Sequence, residues 1–377
     1  MTAQNSLPST TGSVPFRGPS GHTYPMEAAL PREHYVDPES FLRERNMLRG
    51  QWTCIGRLDE LGLTQAGRIA VVDFYGESII VTHDGDLHAH ANVCRHRGSQ
   101  LLPENCPPGE MKALRCPYHS WTYSLNGSLM HAPHAEDINP ADFKLTALAV
   151  ESWGGWLWLA EDPKHTLLAQ LGEVPERVKR YPLSELVVGL RFTYEVQANW
   201  KVIAENYNEC YHCGPVHPEL CRLVPAFGGG GIDIPWEDGV PHREGAWTFT
   251  MSGTSDRAPF PDLDEHERVR HKGELIYPNL LLSLSAEHAA SYLLLPIAAN
   301  STRVVCELLF APDEVARPTF NPSDAGDLWD LVNLQDWAIC ESVQRGMASR
   351  YFRGGWYAPM EDNSLDIRRW LRARLDD

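Results

Sequence analysis

The chain is 377 residues long, 43% hydrophobic, and carries a formal net charge of −17, which gives room for two domains or for one large domain with an insertion. The acidic balance argues against nucleic-acid binding and is compatible with a cationic ligand, although solubility alone would account for it. No apolar run reaches the roughly 18 residues a membrane span needs, and the nine cysteines, an odd number scattered along the chain, argue against a disulfide framework and for a reducing cytoplasm.

Residues 1–36 begin with a polar run rich in Ser, Thr, Pro and Gly. It lacks the apolar stretch of a signal peptide and reads as a flexible lead-in. Asp37-Pro38-Glu39 starts a helix, with Asp37 as cap and Pro38 in the first turn, running to about Met47. From Trp52 the pattern turns to short β runs at Trp52–Gly56, Arg68–Tyr75 and Glu77–His83. Asn126-Gly127 marks a hairpin between Trp121–Leu125 and Ser128–Met130. Residues 37–160 are therefore expected to form a small antiparallel β domain behind a leading helix. Residues 161–377 read differently, with a helix over Leu167–Arg180 and a strand over Phe192–Val196. Three strands follow between Leu275 and Phe310, broken at Glu287-His288 and Ala299-Asn300, and then a long helix over Leu328–Arg350. Strands in one block with long helices around them predict an α+β second domain. Gly228–Gly231 lacks the Lys-Ser/Thr of a phosphate loop and reads as a mobile turn.

Cys94-Arg95-His96 and Cys116-Pro117-Tyr118-His119 fall on loops of the β domain, 19 residues apart. Two thiolates and two imidazoles are the ligands of a Rieske [2Fe–2S] cluster, in which the cysteines hold one iron and the histidines the other. They are also the ligands of a structural zinc site. Zinc sites usually pair Cys with Cys and His with His along the chain, whereas each motif here mixes the two. Mixing suits a cluster, because each loop then supplies one ligand to each iron. Cys106 lies between the pairs with no partner at ligand spacing and reads as an incidental thiol.

The second constellation is Glu209-Cys210-Tyr211-His212 followed by Gly214-Pro215-Val216-His217. Residues 199–213 have helical periodicity, with Trp200, Ile203, Ala204, Tyr207 and Tyr211 on one apolar stripe and Glu205, Glu209 and His212 opposite. Gly214-Pro215 is expected to stop this helix. In an unbroken helix five positions would turn His212 and His217 about 140° apart, so a break is needed to bring the imidazoles together. Two histidines and a carboxylate form the non-heme iron triad, which leaves positions open for O2 and substrate. In Leu328–Arg350 the stripe of Trp329, Val332, Val343 and Met347 contains Asp336, while Asp330 and Glu341 project away. A carboxylate in an apolar stripe is costly unless paired or bound to metal, which favours Asp336 over a buried salt bridge as the explanation.

These residues resemble the α subunits of Rieske non-heme iron ring-hydroxylating oxygenases. The pattern is Cys-x-His, Cys-x-x-His, then Asn199-Trp200-Lys201, the acid Glu209, and His212/His217. Glutamate rather than aspartate at 209, and Gln335-Asp336-Trp337 with Gln344-Arg345-Gly346, are similar to the branch acting on quaternary ammonium compounds such as glycine betaine, stachydrine and carnitine. The resemblance implies a [2Fe–2S] cluster on Cys94, His96, Cys116 and His119, mononuclear Fe(II) on His212, His217 and Asp336, and a head-to-tail homotrimer. In that trimer Glu209 would bridge a neighbour's cluster histidine to His212, as a catalytic residue. Electrons would come from a separate flavin/iron–sulfur reductase using NAD(P)H, because no nucleotide fingerprint is present here. The implied reaction is N-demethylation of a betaine-like substrate, with Trp236, Trp247 and Tyr277 as candidates for its aromatic cage. Alternatives are hydroxylation or O-demethylation of an aromatic compound, a Rieske electron carrier, and a zinc-stabilised binding protein.

Overall fold

The computed structural model describes residues 16–17, 23–24, 26–135, 137–230 and 236–375. Its first sheet has seven antiparallel strands in the spatial order Thr53–Arg57, Trp156–Ala160, Ala147–Trp153, Leu87–Ala91, Glu77–His83, Arg68–Phe74, Gly109–Glu110. Short β-branched runs close through tight turns. At Tyr75-Gly76 both residues take positive φ, 53° and 84°, which matches the right-handed twist of the strands they join. A smaller sheet of Leu114–Arg115, Thr122–Tyr123 and Leu129–His131 sits beside it. The Asn126-Gly127 hairpin forms through a three-residue loop rather than a two-residue one, with Ser124 N–H donating to the Ser128 carbonyl. Only glycine fits at 127: φ is +79°, and a Cβ would lie 2.6 Å from the His90 ring.

The second sheet has six strands, ordered Val187–Val196, Ser301–Phe310, His288–Ala298, Leu280–Leu284, Arg270–Ile276, Val240–Pro241. The expected breaks near residues 287 and 299 are present, but the first of the three expected strands is split between the end of Arg270–Ile276 and Leu280–Leu284. The helix Ser323–Ala348 packs on this sheet through Trp329, Val332, Trp337, Cys340 and Met347. Val343, expected on the same stripe, is exposed instead, although it lies only about 40° from Met347 on a 3.6-residue wheel. The helix expected over Leu167–Arg180 is two short ones, Leu167–Leu171 and Val174–Arg177, because Gly172 turns left-handed at φ 56° between them. Of the glycine run, Gly228 and Gly229 end a 3₁₀ turn over Pro225–Gly229, and Gly231 lies outside the described residues.

The leading segment needs correction. Much of residues 1–25 lies outside the described residues, but residues 26–36 are packed: Glu27–Ala28 pairs with Trp356–Tyr357, and Leu30 and Tyr35 are buried. The helix Pro38–Arg49 starts as the sequence implies, with the Asp37 carboxylate accepting from Ser40 N–H at 2.9 Å. Its body packs on the catalytic core, however, and only its last turn reaches the first sheet, where Arg49 donates to the Tyr75 carbonyl and pairs with Glu77. Glu44 and Lys201 form an ion pair at 2.6 Å with side chains 2% and 0% exposed, and Trp200 Nε1–H also donates to Glu44. Asn199 caps its own helix and donates to the carbonyls of Tyr35 and Ala299. Asn199-Trp200-Lys201 is thus a buried joint, and breaking its ion pair by removing one partner would cost on the order of 3–5 kcal/mol. The two sheets are also joined, with the Asn279 side chain accepting from Cys54 N–H and donating to the carbonyls of Cys54 and Leu294.

Candidate active site

The mononuclear constellation is built on a helix that ends early. Trp200–Tyr207 stops at Asn208, well before Gly214-Pro215, which lie inside a one-turn helix over Cys213–Val216. The Glu209 carboxylate takes the freed amides, accepting from the N–H groups of Tyr211 and His212. It also accepts from His212 Nδ1 at 2.5 Å. Terminating the helix there separates Glu205 from the site: it instead accepts from Tyr35 O–H at 2.7 Å, and desolvation pushes its pKa up to about 7.

His212 Nε2 lies 3.2 Å from His217 Nε2 and 3.3 Å from Asp336 Oδ1, and His217 Nε2 lies 2.9 Å from the same oxygen. Two ligands about 2.1 Å from one metal at right angles or slightly wider are separated by roughly this distance. Among the described residues these three are the only His, Cys, Asp or Glu side chains, in threes or more, able to converge on a single ion, with donor atoms within 4.8 Å. Both imidazoles have their tautomer held from behind: His212 Nδ1 by Glu209, and His217 Nδ1 by Gln335 Oε1 at 2.8 Å. Burial works against protonating His212, but the hydrogen bonds it donates to Asp336 and Glu209 override it and raise its pKa to about 11. The alternatives to Asp336 are engaged elsewhere, Asp330 with Tyr194 O–H at 2.7 Å and Glu341 with Gln197 N–H at 3.1 Å.

A cavity of about 100 Å³ opens against this triad. Trp236 lines it, as expected; Trp247 packs in the core between the sheets, and Tyr277 stacks on Trp370 at 4.9 Å. The remaining aromatic wall, Tyr207, Phe227, Phe249, Tyr292, Trp329 and Trp337, comes from distant segments and gave no local signal. Cys210 and Cys213 also line it, with their sulfurs 2.6 Å apart.

The other four residues meet on two adjoining loops. Cys94 and Cys116 are each 2% exposed, whereas His96 is exposed and His119 half-buried. The two rings lie edge to face with centroids 4.7 Å apart, and His96 stacks on Trp121 at 5.0 Å. Burial raises the Cys116 pKa, but the amides of Tyr118 and His119 outweigh it and lower the thiol below its ordinary value. Tyr123 O–H sits 3.4 Å from Cys94 Sγ. These four donors do not close on a single point as one zinc ion would require. Buried sulfurs beneath outward imidazoles suit a two-iron cluster.

Residues 183–377, more than half of the chain, match the family described as ring hydroxylating alpha subunit (catalytic domain), and residues 51–149 match the Rieske [2Fe-2S] domain. The chain belongs to the ring-hydroxylating oxygenase α-subunit family. It is 29% identical to the glycine betaine monooxygenase oxygenase subunit of Chromohalobacter salexigens, over 92% of this chain and 87% of that protein. It is equally 29% identical to the carnitine monooxygenase oxygenase subunit of Escherichia coli K12, over 88% and 87%. The crystal structure of the quaternary ammonium Rieske monooxygenase CntA with L-carnitine superposes with a TM-score of 0.71 at 25% identity, covering 93% of this chain and 96% of that one. This oxygenase subunit is an α+β protein, a Rieske domain joined to a helix-and-antiparallel-sheet catalytic domain. No helix among the described residues is long and apolar enough to cross a membrane.

Proposed function

We propose that this subunit is the terminal oxygenase of a two-component system that oxidises an N-methyl carbon of a quaternary ammonium compound, giving a carbinolamine that releases formaldehyde. The observation that carries this reading is the cavity: aromatic faces surround it, Glu209 and Asp336 offset the charge of the Fe(II) proposed there, and no Lys or Arg is among its described lining residues. A quaternary nitrogen donates no hydrogen bond and is recognised by such faces where no cationic side chain repels it. Relatives named for betaine and carnitine oxidation agree with this.

In this proposal Cys94, Cys116, His96 and His119 would hold the [2Fe–2S] cluster, and His212, His217 and Asp336 would hold Fe(II) beside the cavity. When bound, these groups supply stored electrons and dioxygen activation. Glu209 keeps the proton of His212 on Nδ1, leaving Nε2 free to ligate. Its second role is to accept from a cluster histidine of a neighbouring subunit in a head-to-tail trimer. Exposed His96, with Tyr118 beside it at 57% exposed, supports a docking face there. A separate reductase delivers electrons from NAD(P)H, in the cytoplasm. The leading residues 26–49 join the catalytic domain, with the Rieske domain ending near residue 160.

The test is O2 uptake and formaldehyde release with a surrogate reductase across carnitine, glycine betaine, choline, their neutral carbon isosteres, and methoxy-substituted aromatics. Turnover of quaternary compounds with weak binding of the isosteres supports the proposal. Turnover of the aromatics alone replaces it with O-demethylation.

A further inference from the structure

Several polar groups in the cavity wall have no role in holding the triad, among them Ser283, Asn333, the Trp337 ring nitrogen and His271. His271, on the strand Arg270–Ile276, is 6% exposed and lines the cavity. Its ring packs against Phe249 with centroids 4.2 Å apart and edge-on to Phe227 at 6.2 Å. Its Nδ1 is buried without a hydrogen-bond partner. That atom has no surface facing the cavity, so a ligand would meet the ring through Nε2, which has no hydrogen-bond partner among the described residues. Desolvation, with His242 and His288 nearby, depresses its pKa well below the ordinary histidine value. The ring is therefore neutral at physiological pH and offers a substrate a hydrogen bond without charge.

The rest of the cavity settles what that bond is for. Its aromatic faces suit the cationic end of a substrate. With the N-methyl end at the iron, a carboxylate at the other end would meet no cationic side chain, since the described lining contains neither Lys nor Arg, and burying an unpaired charge is strongly unfavourable. A hydroxyl or carbonyl needs only one neutral partner. We propose that His271 is a specificity-determining residue that receives the uncharged polar end of a small trimethylammonium substrate, so that this cavity prefers amino alcohols and their carbonyl analogues to carboxylate-bearing betaines. The inference rests on the quaternary ammonium reading above.

The experiment is calorimetric binding to the holoenzyme of choline, glycine betaine, tetramethylammonium and 3,3-dimethylbutanol, the carbon isostere of choline. Wild type should bind choline about tenfold more tightly than either glycine betaine or tetramethylammonium, the size of one hydrogen bond. His271→Phe should bring choline down to the level of tetramethylammonium without weakening the latter, and His271→Gln should restore part of the difference. Glycine betaine binding as tightly as choline, or His271→Phe keeping the choline preference, overturns the assignment. The wild-type ranking decides the matter even if the variants fail to fold. If the carbon isostere equals choline, the quaternary ammonium reading itself falls and takes this inference with it. Glycine betaine outranking choline while the isostere stays weak refutes the role of His271 alone.

Discussion

Replacing Gln335 with Leu tests whether the triad depends on the groups behind it. Gln335 Oε1 accepts from His217 Nδ1–H at 2.8 Å, and its Nε2 donates to Glu219 at 3.2 Å, which orients the amide unambiguously. His217 is only 1% exposed in its side chain, so water cannot replace the lost acceptor. Leaving a buried donor unpaired costs about 1–3 kcal/mol, or roughly 5- to 150-fold in an equilibrium constant. Removing a partner behind a metal ligand typically costs about 10–100-fold in metal affinity, so the two routes to the magnitude agree. Glu219 retains Arg222 at 3.1 Å, which confines the damage to His217. Without the acceptor the imidazole is free to move its proton to Nε2, the atom facing Asp336. The assay is equilibrium competition between protein and a ferrous chelator, normalised to the visible absorbance of the cluster, which Gln335 does not touch. We expect Fe(II) binding weakened by about 10–100-fold with the cluster spectrum unchanged. A change smaller than about threefold would refute the reasoning, because it would mean that this hydrogen bond contributes well below the cost of a buried unpaired donor.

Asp336→Ala should lose the mononuclear iron while the cluster absorbance survives, measured by metal analysis of the purified variant; full iron retention would move the carboxylate ligand elsewhere. Glu209→Gln should keep both metal centres but nearly abolish single-turnover oxidation of the pre-reduced cluster with substrate and O2, and unimpaired oxidation would remove the bridging role. Glu205 gives a pH prediction. Its pKa is raised to about 7 from an ordinary value of 4.5, so folding takes up a proton between these values and its contribution is fully present below about pH 4.5. That contribution is lost as pH rises through about 7, and Glu205→Gln should flatten this part of the denaturation-midpoint profile against pH.

The sequence by itself placed the candidate ligands. Cys94, His96, Cys116 and His119 stand in two short motifs, and short motifs survive any folding of the chain because their members are bound to be neighbours. The cap at Asp37-Pro38 and the glycine at 127 are local in the same way, whereas His212 and His217 meet only because the helix ends at Tyr207. Asp336 was legible for a different reason: a carboxylate at a core position of a long helix conflicts with burial unless something pairs with it. Tertiary structure decided the rest. The helix after Asn199 stops at Tyr207 because Glu209 offers its carboxylate to the next amides, a competition that a 3.6-residue period cannot register, and Glu205 leaves the site as a result. The leading helix belongs to the catalytic core because Glu44 finds Lys201 more than 150 residues away. The cavity wall assembles from Tyr207, Phe227, Phe249, Tyr292 and Trp329, each of which looks like an ordinary core residue within its own segment. A pocket is a property of surfaces that fail to meet, and only the packed chain shows where that happens.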